Sequence, residues 1–340
     1  MTLLPLGDLV DRRRLVTRML LVAALALAGA AVAPGFAALA AAIGLAAVMS
    51  VVAQVVVPLA STLAPEEARG RVVGAVMSGL LIGILTARTV AGFVAELGGW
   101  RAVFAVAAGA MVVLAAALWR TLPGGRAATD LRYLELLRSV PALVRDEPSL
   151  RARMVYGACG MAVFSVLWTS LTLHLADDFG YGEATIGLFG LAGIAGVAAA
   201  QGAGRLHDAG HERRWTGLFW LAVLAGWGAL LAGEASVATI VAGIVVLDLG
   251  VQGQHILNQS TIFGLHEEVR SRVNTAYMTS NFTWGAIGSG LSALAWTKGG
   301  WPAVCAVGAA FSVVALAWWL VEASPATPGR ARPRGSCSSR

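Results

Sequence analysis

The run IVVLDLGVQGQHILNQSTIFG, residues 244–264, sets a carboxylate, an imidazole and several amides into a largely apolar stretch. At 100° per residue, Asp248, Gln252, His255 and Gln259 fall within about 60° of one another, so a helix presents them as one polar stripe rising about 16 Å. Asp248 and His255 can both change charge as their surroundings change, which makes them candidates for proton carrying. The amides offer donors and acceptors to a polar solute. A hydrogen-bonded network that only orients helices is the alternative use of the same four groups. Arg88, inside LIGILTARTVAGF, is charged at any physiological pH and cannot carry a proton. It requires a buried acid or carbonyls as partner, or else anchors an anion.

Further polar groups recur at helical spacing. Ser165, Trp168 and Thr172 share one face, Gln54 and Ser61 a second, and Asn274, Tyr277, Asn281 and Trp284 a third. Such groups serve either as substrate contacts or as packing contacts between helices. Covalent chemistry has no support: the HEEVR run at 266–270 lacks the second histidine of a zinc-binding HExxH, and no Ser/His/Asp or metal-ligand set has workable spacing. The expectation is therefore no enzyme, no cofactor and no metal. Cys159 and Cys305 lie in apolar runs and Cys337 in a polar tail, so all three read as free thiols.

The elements that must position these groups are membrane spans. The chain is 57% hydrophobic and 13% charged, about half the charged share of a soluble protein. A span needs roughly 20 apolar residues. Ten such blocks are present, at 16–33, 36–60, 72–95, 102–119, 154–176, 185–203, 215–233, 237–263, 274–297 and 302–321. They are too long and too uniformly apolar for barrel strands, so the expected fold is an all-α polytopic membrane protein. Of the 25 basic residues, 22 then fall in connections on one side, only Arg88, Arg101 and Lys298 lying elsewhere. By the positive-inside rule that side is cytoplasmic, with both termini on it. The net charge of +6 is thus used for orientation, and no basic patch interleaved with aromatics suggests nucleic acid.

The second half of the chain repeats the first. PEEARGRVVGAVM at 65–77 returns as HEEVRSRVNTAYM at 266–278, and GGWRAVFAV at 98–106 returns within KGGWPAVCAV at 298–307. Glu66/Glu267, Arg69/Arg270 and Trp100/Trp301 all sit at an offset of 201. The boundaries read as a first half over 1–123, a linker with a short amphipathic helix over 124–150, a second half over 151–322 and a polar tail over 323–340. GDLVDRRR from Gly7 also matches GRLHDAGHERR from Gly204, in which Gly7/Gly204 and Asp11/Asp208 correspond. Two spans precede Gly204 in its half and none precedes Gly7, which leads to the expectation that about 45 residues of a longer functional protein are absent here.

Two parallel six-helix repeats with a G-x-x-x-D-R/K-x-G-R/K-R/K loop resemble the major facilitator superfamily, with the first two of twelve helices missing. Gly7, Asp11 and Arg12 match that loop, whereas Arg14, Leu15 and Val16 depart from it. The resemblance implies a gating role for Gly7, Asp11, Arg12, Gly204 and Asp208, the aspartates bracing a helix start. Gly74, Gly83, Ala87, Arg88, Ala91 and Gly92 follow the spacing of the G-x8-G-x3-G-P-x2-G-G pattern of drug:proton antiporters, with Arg88 in place of the proline. The implied function is a secondary transporter of the bacterial inner membrane, exporting a small organic molecule in exchange for protons by alternating access. A truncated relative that does not transport is the alternative. The resemblance places Asp248, His255, Gln252, Gln259, Gln54, Trp168, Thr172 and Asn281 around a central cavity. The expected partners are a small-molecule substrate, protons and the lipid bilayer, with no nucleic acid and with the protein a monomer.

Overall fold

A computed structural model describes residues 11–52, 56, 69–123, 133–193, 211–233, 236–265 and 270–322, all of it helix and short connection. The helices are α1 (Arg12–Ala31), α2 (Phe36–Met49), α3 (Arg69–Thr121), α4 (Tyr133–Asp146), α5 (Pro148–Asp177), α6 (Glu183–Leu188), α7 (Glu212–Ala232), α8 (Val237–Leu265) and α9 (Arg270–Glu322). A 3₁₀ turn, Phe189–Gly193, continues α6. Six of these helices are long and apolar enough to cross a membrane.

Two of the six contain a pair of expected spans each. At 53 residues α3 and α9 would measure about 80 Å if straight, far beyond a hydrocarbon core of about 30 Å. Both break at the glycines of the repeated GGW motif. Gly99 has φ +73°, and Gly300 has φ +61°, in the region that costs a side-chain-bearing residue dearly. Two contacts show that α9 doubles back: Tyr277 near its start packs on Gly157, while Glu322 at its end accepts a 2.7 Å hydrogen bond from the hydroxyl of the adjacent Tyr156. The second arm of α3 runs antiparallel to α1 in the same way. Arg13 covers the Trp119 ring at one end, and Arg101 Nη2 donates to the Ala33 carbonyl at the other.

Close packing in the second half comes from small residues. Gly226, Gly243 and Gly250 bring α7 and α8 together so tightly that an added Cβ would lie under 3.0 Å from the facing helix. Ser170 and Ser292 share a buried 2.6 Å hydrogen bond between α5 and the first arm of α9, and Ser292 Oγ also donates to the Val166 carbonyl. Around these contacts Val163, Leu167, Leu171, Trp220, Trp227, Ile244 and Leu247 form the main apolar core. The linker contains the expected short helix, α4, whose Val140, Leu143 and Val144 pack against Leu150, Ile262 and Tyr277.

Candidate functional site

The polar stripe of α8 faces away from the seam of Gly243, Gly250 and Gly253 that packs on α7, so the helix turns it toward the middle of the molecule. There a cavity of about 120 Å³ opens between α5, α8 and the first arm of α9. Gln252, Gln254, His255 and Asn258 line it from α8, Gly157, Gly160 and Phe164 from α5, and Tyr277 and Asn281 from α9. Its wall is a chain of hydrogen bonds. Gln254 Nε2 donates to Asn258 Oδ1 at 2.8 Å, Asn258 Nδ2 donates to the Tyr277 hydroxyl at 3.2 Å, and that hydroxyl lies 3.3 Å from His255 Nδ1. Asn281, with its amide oriented to donate, reaches the carbonyls of Gly157 and Tyr277 at 3.3 Å. Gly157 leaves the room this requires, since a Cβ there would stand 2.4 Å from the Asn281 side-chain amide and 2.5 Å from the Tyr277 ring.

One helical layer toward the other membrane face lies a second group. The Arg88 guanidinium sits 3.7 Å above the Trp168 ring and 5.6 Å from Phe164, which itself lines the cavity. Asp248 attracts Arg88 through space, and the Trp168 indole is turned toward the same carboxylate. Asp248 is only 3% exposed, and neither its Oδ1 nor Trp168 Nε1 completes a hydrogen bond of normal geometry. A buried carboxylate so sparingly partnered is costly, which is the mark of a group retained for something other than stability. The structure thus brings together three residues from three separate sequence segments, and the acid that Arg88 calls for is Asp248.

Beyond this layer α3 and α6 meet backbone to backbone. An added Cβ on Gly92 would lie 2.4 Å from the Glu183 carbonyl oxygen, and one on Gly187 would lie 2.9 Å from the Arg88 carbonyl oxygen. Thr89 Oγ1 donates to the Gly187 carbonyl at 3.0 Å, and Glu96 Oε2 accepts from the Ala184 N–H at 3.1 Å. This end is opposite the arginine-rich one. At the arginine-rich end Arg153 and Glu212 pair at 2.9 Å, and Glu212 also accepts from Thr261 Oγ1.

Several expected site residues stand elsewhere. Thr172 is exposed, and Gln259 lies outside the lining, one turn beyond His255. Gly7, Gln54, Gly204 and Asp208 fall outside the described residues. Arg12 begins α1, and Asp11 caps that same helix, accepting from the N–H groups of Arg13 at 3.0 Å and Arg14 at 3.4 Å. Gln254 and Asn258 are cavity residues outside the stripe read from the sequence. Their signal was a second polar pair at i, i+4 on the same helix.

The sequence profile described as "Major Facilitator Superfamily" matches residues 1–289. The uncharacterized transporter YgaY of Escherichia coli (strain K12) is 47% identical over 319 residues, covering 93% of this chain and 81% of that protein. A protein described as probable transporter SCO4007, from Streptomyces coelicolor, is 38% identical over 325 residues, covering 95% of this chain and 75% of its own length. Among solved structures, a bacterial homologue of the human lysosomal transporter Spinster, inward-facing and occupied, superposes with a TM-score of 0.68 at 13% identity, over 91% of this chain and 82% of that one. With the helical hairpins, the polar cavity and these matches together, the chain belongs to the major facilitator superfamily and is a multi-pass membrane transporter, not an enzyme.

Proposed function

We propose that this transporter couples the movement of a small organic molecule to that of protons by alternating access, with Asp248 and His255 as the proton-carrying groups. The observation that carries this reading is the position of Asp248. It is buried, lacks a hydrogen-bond partner on Oδ1, and faces the fixed charge of Arg88 one turn from a cavity lined by amides, a phenol and an imidazole. A proton arriving there changes the charge balance where the two halves of the chain meet. Efflux is the direction favoured by the likeness of the Gly74–Gly92 stretch to the antiporter pattern, and Gly92 fills the close-packing role which that pattern implies.

The hydrogen-bond chain from Gln254 to His255 favours a second role for His255 alone, that of holding α8 and α9 in register. Reconstituted vesicles with an imposed pH gradient separate the two. Substrate-panel flux and proton movement should both fall in Asp248→Asn while membrane insertion stays intact. Wild-type flux and pH dependence in both Asp248→Asn and His255→Gln would reduce the whole stripe to packing.

A further inference from the structure

We infer that the substrate carries an anionic group, a carboxylate or its equivalent, and that Arg88, its guanidinium held over Trp168 and beside the cavity's Phe164, is the residue that binds it. This rests on the cavity being the transport site and adds the chemical class of what enters it.

The argument starts from how Arg88 is seated. Gly190 in the 3₁₀ turn lies under its stem, and an added Cβ there would stand 3.0 Å from Arg88 Cβ and 3.4 Å from Cδ. The head then rests on the faces of Trp168 and Phe164. Three contacts fix the side chain: Gly190 against its carbon stem, Trp168 close over its guanidinium and Phe164 farther off.

A guanidinium stacked on an aromatic ring keeps its N–H donors in the ring-parallel plane, directed outward. Those donors make no hydrogen bond to any described residue. Asp248 supplies opposite charge but not contact, so the fork that would suit a bidentate carboxylate is unfilled. Phe164 both contacts the Arg88 guanidinium and lines the cavity, so a single ring links the two. The remaining lining fits the rest of such a molecule. Met161, Phe164 and Val251 give an apolar surface, while Gln252 and Asn281 give neutral hydrogen-bonding groups. Apart from Asp248, which already balances Arg88, no carboxylate lines this region among the described residues, so a cationic substrate would find no free counter-charge.

The test compares three probes with one body and different charge: 1-naphthoate, 1-naphthamide and 1-naphthylmethylammonium, titrated calorimetrically against the full 340-residue chain in lipid nanodiscs. A bidentate charge-assisted pair should make the naphthoate bind at least about tenfold tighter than the amide. Arg88→Gln should abolish that preference and Arg88→Lys should keep part of it, because the charge remains and the fork is lost. Asp248→Asn, which removes the neighbouring negative charge, should tighten naphthoate binding and leave the amide unchanged. Equal binding of amide or ammonium by the wild type, or a naphthoate preference surviving Arg88→Gln, overturns the assignment. Either result leaves the transport-site reading standing, because that is judged by proton movement in Asp248→Asn. Should Arg88→Gln fail to fold, Trp168→Leu serves instead: it keeps the charge but removes its platform, and an undiminished preference there is equally fatal. Binding of none of the three by folded protein also overturns the inference.

Discussion

Replacing Gly92 by alanine tests the seal between α3 and α6 with a single methyl group. The new Cβ would sit 2.4 Å from the Glu183 carbonyl oxygen, and ordinary contact begins at 3.4 Å, so the helices must part by about 1 Å. Neither neighbour can yield by rotating a side chain, because both contacts are to backbone. Overpacking of this kind costs about 1–3 kcal/mol. The Thr89–Gly187 hydrogen bond at 3.0 Å spans the same crossing, and its loss adds about 1 kcal/mol. Since each 1.4 kcal/mol is a factor of ten, the closed arrangement of this end should lose roughly 30-fold or more in population. Ala184, 9% exposed beside Gly92, reports the opening. In a background lacking the native cysteines, Ala184→Cys should react with a membrane-impermeant maleimide far faster once Gly92→Ala is added. Gly83→Ala is the control on the same helix, since nothing lies within 4 Å of its added Cβ. An unchanged labelling rate in Gly92→Ala, or an equal rise in Gly83→Ala, would refute the view that this crossing is the seal.

A reporter fused after Arg340 or within 124–150 should read cytoplasmic and one beside Asp178 external; a cytoplasmic signal at Asp178 would reverse the orientation drawn from the arginines. Gly308→Ala would push a Cβ to 2.1 Å from the Trp227 ring, so the thermal midpoint should fall by several degrees with the cost again about 1–3 kcal/mol. Ser292→Ala removes the 2.6 Å bond to Ser170 and the 2.8 Å bond to Val166, and should lower stability by about 0.6–1.7 kcal/mol, read as a shifted unfolding midpoint in mild detergent. Tyr156→Phe frees Glu322 from its 2.7 Å bond and should raise proteolytic cleavage at the end of α9.

Hydropathy and arginine placement made the helices and their hairpins legible because both report a property of single segments: how much apolar length is available, and which side holds the charge. The repeated GGW motif, read only as a sign of duplication, lies at both hairpin bends, where Gly99 and Gly300 have positive φ. Periodicity also placed the stripe of α8 on the face opposite its glycine seam. What it could not supply is which flank of that face borders open space. The cavity is skewed toward Tyr277 on α9, so Gln254 and Asn258 line it while Gln259 does not. That skew is set by where a different helix crosses, and nothing in residues 244–264 encodes it. The meeting of Arg88, Trp168 and Asp248 was illegible for the same reason. Each residue announces a need for a partner, but their encounter depends on three helices from distant parts of the chain.

The duplicated GGW motif has been put to two different mechanical uses. In the second copy Trp301 is 1% exposed, donates through Nε1 to the Leu230 carbonyl at 3.0 Å and stacks on His174 with ring centroids 4.3 Å apart. It rivets three helices at one corner. In the first copy Trp100 is 41% exposed, and among the described residues its ring contacts are with Arg101 over its ring and Phe104 at its edge. At the end of a span, an exposed indole of this kind suits the water–lipid boundary, where it tethers no second helix. Under the alternating access proposed above, a riveted corner and a loose one give the two halves unequal freedom to move. Transferring the rivet to the first copy should then slow transport while leaving the fold intact.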